Sequence, residues 1–193
     1  EMVGIIERLD GVAKKEGLTL GVKFTNTLVV KNRDSFFPKE ETMYLSGAPL
    51  HVLAVTLAAR FREQFQGKYP ISFSAGIDKK NFPAAVACDL TPITTCTDLL
   101  RAGGYGRLTG YLDSLGSAFR KLGVTSRGDY VLAARGSGAK AAESVLDEAL
   151  AAKVAGHLAE DGPKNVRALL DAAGAGDSYD DLVRVAGTAN LTA

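Results

Sequence analysis

Residues 71–105, ISFSAGIDKKNFPAAVACDLTPITTCTDLLRAGGY, alternate strand-like and helix-like segments. Ile71 to Ser74 is a β-rich run ended by the turn Ala75-Gly76-Ile77-Asp78. A helix is expected from about Lys80 to Cys88, then a strand from Pro92 to Thr95. The turn TDLLRAGGYGR leads into a helix from about Leu108 to Leu122. Two neighbouring strand-to-helix turns offer backbone N–H groups and a favourable helix dipole, which suits a phosphate. In a (β/α)8 barrel such a cradle follows strands seven and eight. At Gly76 the competing reading is a tight turn alone. Thr94, Thr95 and Thr97 could donate hydroxyls to an anion, or serve only strand propensity and an N-cap from Thr97 or Asp98. Asp98 opposes an adjacent anion, and Arg101 and Arg107 are placed to offset it.

Working upstream, Leu18 to Thr25 reads as a buried strand, and Leu28 to Val30 as its continuation or the start of a small hairpin. Residues 31–41, KNRDSFFPKEE, are charged, contain Pro38 and predict a loop. Met43 to Leu45 reads as a short strand, Ser46-Gly47 as its turn, and Pro49 as a residue near a helix start. That helix, to about Phe65, is expected to bury Leu50, Leu53, Leu57, Phe61 and Phe65. Residues 3–16 place Val3, Ile6, Leu9 and Val12 at helical spacing. Strands alternating with helices predict an α/β fold of parallel βα units, with functional turns at the strand carboxyl ends. At 193 residues the chain is shorter than the roughly 250 of a whole barrel.

Downstream, residues 125–138 read as a linker with a break at Gly136-Ser137-Gly138. Ala139 to Glu160 reads as one long helix, followed by short helices over Val166–Ala173 and Tyr179–Val185. The expected organisation is an α/β domain over 1–124, the linker 125–138 and a helical appendage over 139–193. Charge follows it: residues 1–138 hold 18 Lys and Arg against 13 Asp and Glu, and residues 139–193 hold 5 against 9. The basic part suits an anionic ligand. No basic cluster with interleaved aromatics suggests nucleic acid, and no apolar run reaches the roughly 18 residues of a membrane span. Two cysteines without CxxC spacing suggest neither a disulfide framework nor a metal site, which points to a reducing cytoplasm. The first residue, Glu1, fits a segment of something longer.

Lys23 stands on a strand between Val22 and Phe24, where a charge is costly unless paired. The alternative is an edge strand with Lys23 in water. Cys96 has no activating partner nearby in sequence and reads as a small hydrophobe, and His51 and His157 are isolated. No catalytic residue is identified.

VKFTNTLVV, MYLSGAPL and ISFSAGID with PITTCTDLLRAGGYGRL resemble the later part of the flavin barrel of dihydropyrimidine and dihydroorotate dehydrogenases. The likeness is greatest to large bacterial iron–sulfur flavoproteins of the selenate-reductase-like and glutamate-synthase-like type. It covers about residues 1–124 and implies a partial (half) TIM barrel. Leu18–Thr25 then matches strand five, Met43–Gly47 strand six, Ile71–Gly76 strand seven and Pro92–Thr97 strand eight. The implied cofactor is FMN. Lys23 and Asn26 would lie toward its ring, Ser46 and Gly47 at the next turn, and Gly76, Ile77, Thr95, Cys96 and Thr97 at its phosphate. A cation at Lys23 would stabilise a reduced, anionic ring. The family's first four strands, acid–base residue and iron–sulfur cysteines have no match here. The resemblance therefore implies a fragment of a multidomain oxidoreductase, inactive alone, whose partner is the rest of its polypeptide, another subunit or a second half-barrel in a homodimer. Two other functions compete: a phosphate-binding barrel enzyme without flavin, with Lys23 as a reactive lysine, and a non-catalytic assembly module.

Overall fold

The computed structural model describes residues 1–33 and 37–192, so positions 34–36 of the loop expected over 31–41 lie outside it. A three-stranded parallel sheet is the organising element, in the order β1 (Val22–Phe24), β4 (Ile71–Ser74), β5 (Ile93–Thr94). Lys23 is level with Ser72, Phe24 with Phe73, and Phe73 with Ile93. Side chains alternate across a sheet. Val22, Phe24, Ile71, Phe73 and Ile93 therefore share one face, and Lys23, Ser72, Ser74 and Thr94 the other. Ile71 and Phe73 are fully buried.

Helix α2 (Ala48–Gln64) covers the apolar face. Phe61 meets Phe24 edge-on at 5.1 Å between ring centroids, and His51 meets Phe73 at 5.9 Å. The buried stripe of α2 is Leu50, Ala54, Ala58 and Phe61, together with Arg62. Leu53 and Leu57, expected in that stripe, are exposed. The alanines let α2 lie close to the sheet, and the leucines are turned outward. Helix α1 (Met2–Lys15) differs similarly. Ile6 packs against the core, Leu9 and Val12 are exposed, and the buried residue is Asp10, paired with Lys68 at 2.6 Å and Lys14 at 3.1 Å.

The segment expected as a second parallel strand is β3 (Thr42–Leu45), which pairs antiparallel with β2 (Leu28–Lys31). The hairpin reading of Leu28–Val30 therefore holds. A parallel return needs a crossover of a dozen or more residues, usually a helix, whereas ten residues separate β2 from β3. Because β1 pairs directly with β4, Leu18–Thr25 and Met43–Leu45 are not consecutive barrel strands. β1 is also an edge of the sheet among the described residues, and Lys23 is exposed rather than buried. The chain is thus an α/β partial barrel of parallel βα units with a helical C-terminal part. α3 (Phe82–Ala87) follows β4, and α4 (Arg107–Leu122) follows β5.

Residues 127–134, inside the expected linker, form helix α5 (Arg127–Ala134), with Val131 and Leu132 fully buried. The single helix expected over 139–160 is two, α6 (Ser137–Val145) and α7 (Glu148–Ala159). The break falls where Asp147 caps α7, accepting a hydrogen bond from the Leu150 N–H at 2.9 Å. α8 (Val166–Ala172) and α9 (Tyr179–Thr192) complete a second hydrophobic core. α9 returns to the sheet domain. The buried Asn190 amide donates to Ala87 O at 2.7 Å and Val131 O at 2.8 Å, joining α3 to α5.

Replacing Asn190 by Ala leaves two buried carbonyls without donors. Urea unfolding is expected to show a loss of about 1–3 kcal/mol, and an unchanged midpoint would contradict the bridging role.

Candidate functional site

The parallel register brings the carboxyl ends of all three strands to one end of the sheet, where turns converge on a cleft of about 480 Å³. That volume falls in the range of small-molecule sites. All nine candidate residues line it: Lys23 and Asn26 from β1 and its turn, Ser46 and Gly47 before α2, Gly76 and Ile77 after β4, and Thr95, Cys96 and Thr97 after β5. Thr25, Thr27, Leu50, Ser74, Ala75, Thr94 and Leu100 complete the lining.

Two glycines bring the turns together. Gly76 has φ +56°, and a Cβ there would lie 2.5 Å from Gly47 O and 2.8 Å from Ala48 Cα. Backbone touches backbone at this point, so Gly76 does more than make a tight turn. Gly47 is the residue before α2 and has no capping side chain. The first turn of this 17-residue helix brings its positive dipole end toward the cleft, although the Leu50 N–H on the lining is taken by Gly47 O at 3.1 Å. Pro49, without an N–H, occupies a position in that turn where a donor is not required. The N–H groups of Gly76, Ile77, Cys96 and Thr97 have no acceptor among the described residues. Unpaired backbone N–H groups gathered at one opening are able to bind an anion. Ile77 contributes only backbone, since its side chain is buried.

The hydroxyl of Thr95 does not serve an anion. It donates to Ile77 O at 3.0 Å and lies 3.3 Å from the Tyr111 hydroxyl. Beneath the same turn Asp98 is buried and receives a two-pronged bond from Arg107, Nε to Oδ2 at 3.0 Å and Nη2 to Oδ1 at 2.8 Å. Tyr111 OH is 2.9 Å from Asp98 Oδ2 and 3.0 Å from Ile77 O. Its single proton goes to the ionised carboxylate, the stronger acceptor, which leaves Ile77 O to Thr95. Arg107 holds the Asp98 carboxyl below the usual carboxylate range, and burial pushes the Tyr111 hydroxyl up. Of the two arginines read as offsetting Asp98, Arg107 does so. Arg101 is exposed, its Nη1 3.9 Å from Asp98 Oδ1.

The network of Asp98, Arg107 and Tyr111 was not legible in the sequence as a unit. Its visible traces were the AGGYGR turn and Arg107 as an offset to Asp98; the part of Tyr111 had none. Cys96 is exposed at the cleft, whereas Cys88 is buried, with burial raising its thiol. His51 lies outside the cleft lining and donates through Nδ1 to Ala75 O at 2.8 Å. His157 accepts through Nε2 from the Asn165 N–H at 3.0 Å in the helical part. Among the described residues no group of three or more His, Cys, Asp or Glu could hold a metal ion, and no helix is long and apolar enough to cross a membrane.

Residues 1–146 match the family described as oxidoreductase YgfK, N-terminal TIM-barrel domain. Over 111 residues, 58% of the chain, the sequence is 41% identical to the "Putative oxidoreductase YgfK" of Escherichia coli (strain K12). The protein of that name from Escherichia coli O157:H7 matches to the same extent. The matched stretch is 11% of each relative's length, so the chain spans about a tenth of these proteins. No solved structure matches.

Two outcomes follow from this geometry. Gly76→Ala is expected to destabilise the chain by about 1–3 kcal/mol, through strain and the clash with Gly47, read as a lower denaturant midpoint. Because the Asp98 carboxyl is lowered in the fold, its contribution is complete above the unfolded value of about 4 and is lost as pH falls through the lowered folded value. The stability difference between wild type and Asp98→Asn should therefore be flat above about pH 5 and shrink on acidification below about pH 4. A difference that grows on acidification contradicts the pairing.

Proposed function

The chain belongs to the family of the N-terminal TIM-barrel domain of oxidoreductase YgfK, and from that premise we propose that its cleft binds the phosphate end of FMN. The chain would then be one part of a larger flavin and iron–sulfur oxidoreductase related to dihydropyrimidine dehydrogenase. The observation that carries this reading is the gathering of unpaired N–H groups from the turns after β4 and β5 at one cleft, with Lys23 exposed on the same lining.

The residues fit the group. The N–H groups of Gly76, Ile77, Cys96 and Thr97 would hold a phosphate monoester, with the positive end of α2 beside them. A side chain at Gly76 would meet the backbone of Gly47 and Ala48, so this turn offers backbone alone. Lys23, Asn26 and Ser46 extend the lining with a cation, an amide and a hydroxyl for the remainder of the molecule. Bound flavin supplies two-electron redox chemistry, and the chain's own part is to bind, orient and tune it. Lys23 favours negative charge near the ring end. No residue of the cleft is assigned as a proton donor.

The rest of the polypeptide would supply the other flavin contacts and the iron–sulfur clusters. Exposed apolar side chains support such a partner: Met2, Ile5, Leu9 and Val12 on α1, and Val52, Leu53 and Leu57 on α2. Patches of this kind mark interaction surfaces. The same observation favours the second reading, a module that assembles without catalysis.

Titrating the chain with FMN and with riboflavin separates these readings. FMN is expected to bind at least about tenfold more tightly, since the phosphate contributes a charge-assisted set of hydrogen bonds. Gly76→Asp is expected to remove that preference. Equal affinity for the two flavins, or binding of neither, contradicts the proposal.

A further inference from the structure

AGGYGR, residues 102–107, fits no dinucleotide fingerprint, yet its geometry is specific. Gly103 has φ +100°, and a Cβ there would lie 3.2 Å from Arg107 Cγ. The turn thus folds over the Arg107 stem, whose Nη1 donates to Ala102 O at 3.4 Å. The opposite edge of the guanidinium takes both oxygens of Asp98. Asp98 directly follows Thr97 of the cleft lining, but neither Asp98, Arg107 nor Tyr111 lines the cleft itself. They lie behind the turn that carries the Cys96 and Thr97 N–H groups.

Two consequences follow for an anion in the cleft. An unneutralised Asp98 would repel it through a poorly screened path, and the two-pronged bond removes that repulsion. The same cluster also ties the turns together. Thr95 from one turn bonds Ile77 O of the other, and Tyr111 touches both Ile77 O and Asp98. The orphan N–H groups on the two turns are thereby held at a fixed separation, which is what preorganised anion binding needs.

We infer that Arg107, presented by the Gly-Gly-Tyr-Gly-Arg turn, and Tyr111, one turn further along α4, are positioning residues that neutralise Asp98 and lock the two cradle turns for a phosphate monoester. The inference rests on the phosphate-binding reading of the cleft. Neither residue touches the ligand. Charge neutralisation and alignment act together.

Calorimetric titration of the 193-residue chain with FMN, with riboflavin as the phosphate-free control, tests it. Arg107→Gln is expected to weaken FMN about tenfold or more, the size expected of an uncovered charge near the anion, and to leave riboflavin unchanged. The compensated variant Asp98→Asn/Arg107→Gln is expected to regain most of the loss. Arg120→Gln, which removes an equal charge from α4 at a residue bonded to Ser117 and not to Asp98, is expected to stay within about threefold of wild type, as for a screened surface group. Should Arg107→Gln fail to fold, Tyr111→Phe takes its place, with about threefold weaker FMN binding expected from one lost hydrogen bond. Wild-type FMN affinity in Arg107→Gln, or in Tyr111→Phe where that variant is used, overturns the inference and leaves the phosphate reading standing. So does a double variant no better than the single one. A wild-type chain that binds no FMN overturns the phosphate reading, and the inference with it.

Discussion

The contact between Gly47 and Gly76 brings backbone against backbone, 2.5 Å from Gly47 O to where a Cβ of Gly76 would stand. The cleft depends on this approach. It sets the N-terminus of α2 beside the turn after β4, with Gly47 and Gly76 both on the lining of the same opening. The approach depends in turn on the sheet. Ile71 and Phe73 anchor β4 against α2, while the small residues Ala54 and Ala58 let the helix lie close. Register then carries the effect sideways, because Phe73 is level with Phe24 and Ile93 and the three strand ends stay together. An apolar face covered by helices and a polar face ending in Lys23, Ser74 and Thr94 are two sides of one alternation.

Charge is handled differently at the two ends of the molecule. Beneath the cleft Asp98 is buried and satisfied by Arg107 and Tyr111, so the turn above it is free of net negative charge. At the junction with the helical part, Arg62 is buried in α2, and its Nη2 donates to Asp89 O at 2.8 Å. Arg127 at the start of α5 bonds the Asp89 carboxylate. Asn190 and the Arg62–Asp89–Arg127 group tie α9 and α5 to the sheet domain, so the helical part is packed against the α/β part rather than strung from it.

The turns that line the cleft were legible because turn chemistry is local. Ser46-Gly47, Gly76 and the threonines after β5 announced themselves by residue type, and the chain brings them to one cleft. Pairing was less legible. Met43–Leu45 has the composition of any strand, and only the short return from Leu28–Lys31 makes it antiparallel. In α2 apolar residues occur nearly all round, so periodicity did not distinguish the stripe of Leu50, Ala54 and Ala58 from that of Leu53 and Leu57. Thr95 illustrates a third limit. Its hydroxyl suited an anion by chemistry, but Ile77 O and Tyr111 meet it only after α4 packs. The helix break before α7 was written in Asp147, a capping residue followed three positions later by the N–H it accepts.

Phosphorus NMR of FMN titrated with the chain addresses the central claim most directly, because it watches the phosphate rather than the ring. The FMN resonance is expected to shift and broaden on binding, and inorganic phosphate in excess is expected to reverse the change. A phosphorus resonance that stays at its free position while the flavin absorbance changes would mean that the ring is held and the phosphate is not. That result would contradict the assignment of the cleft.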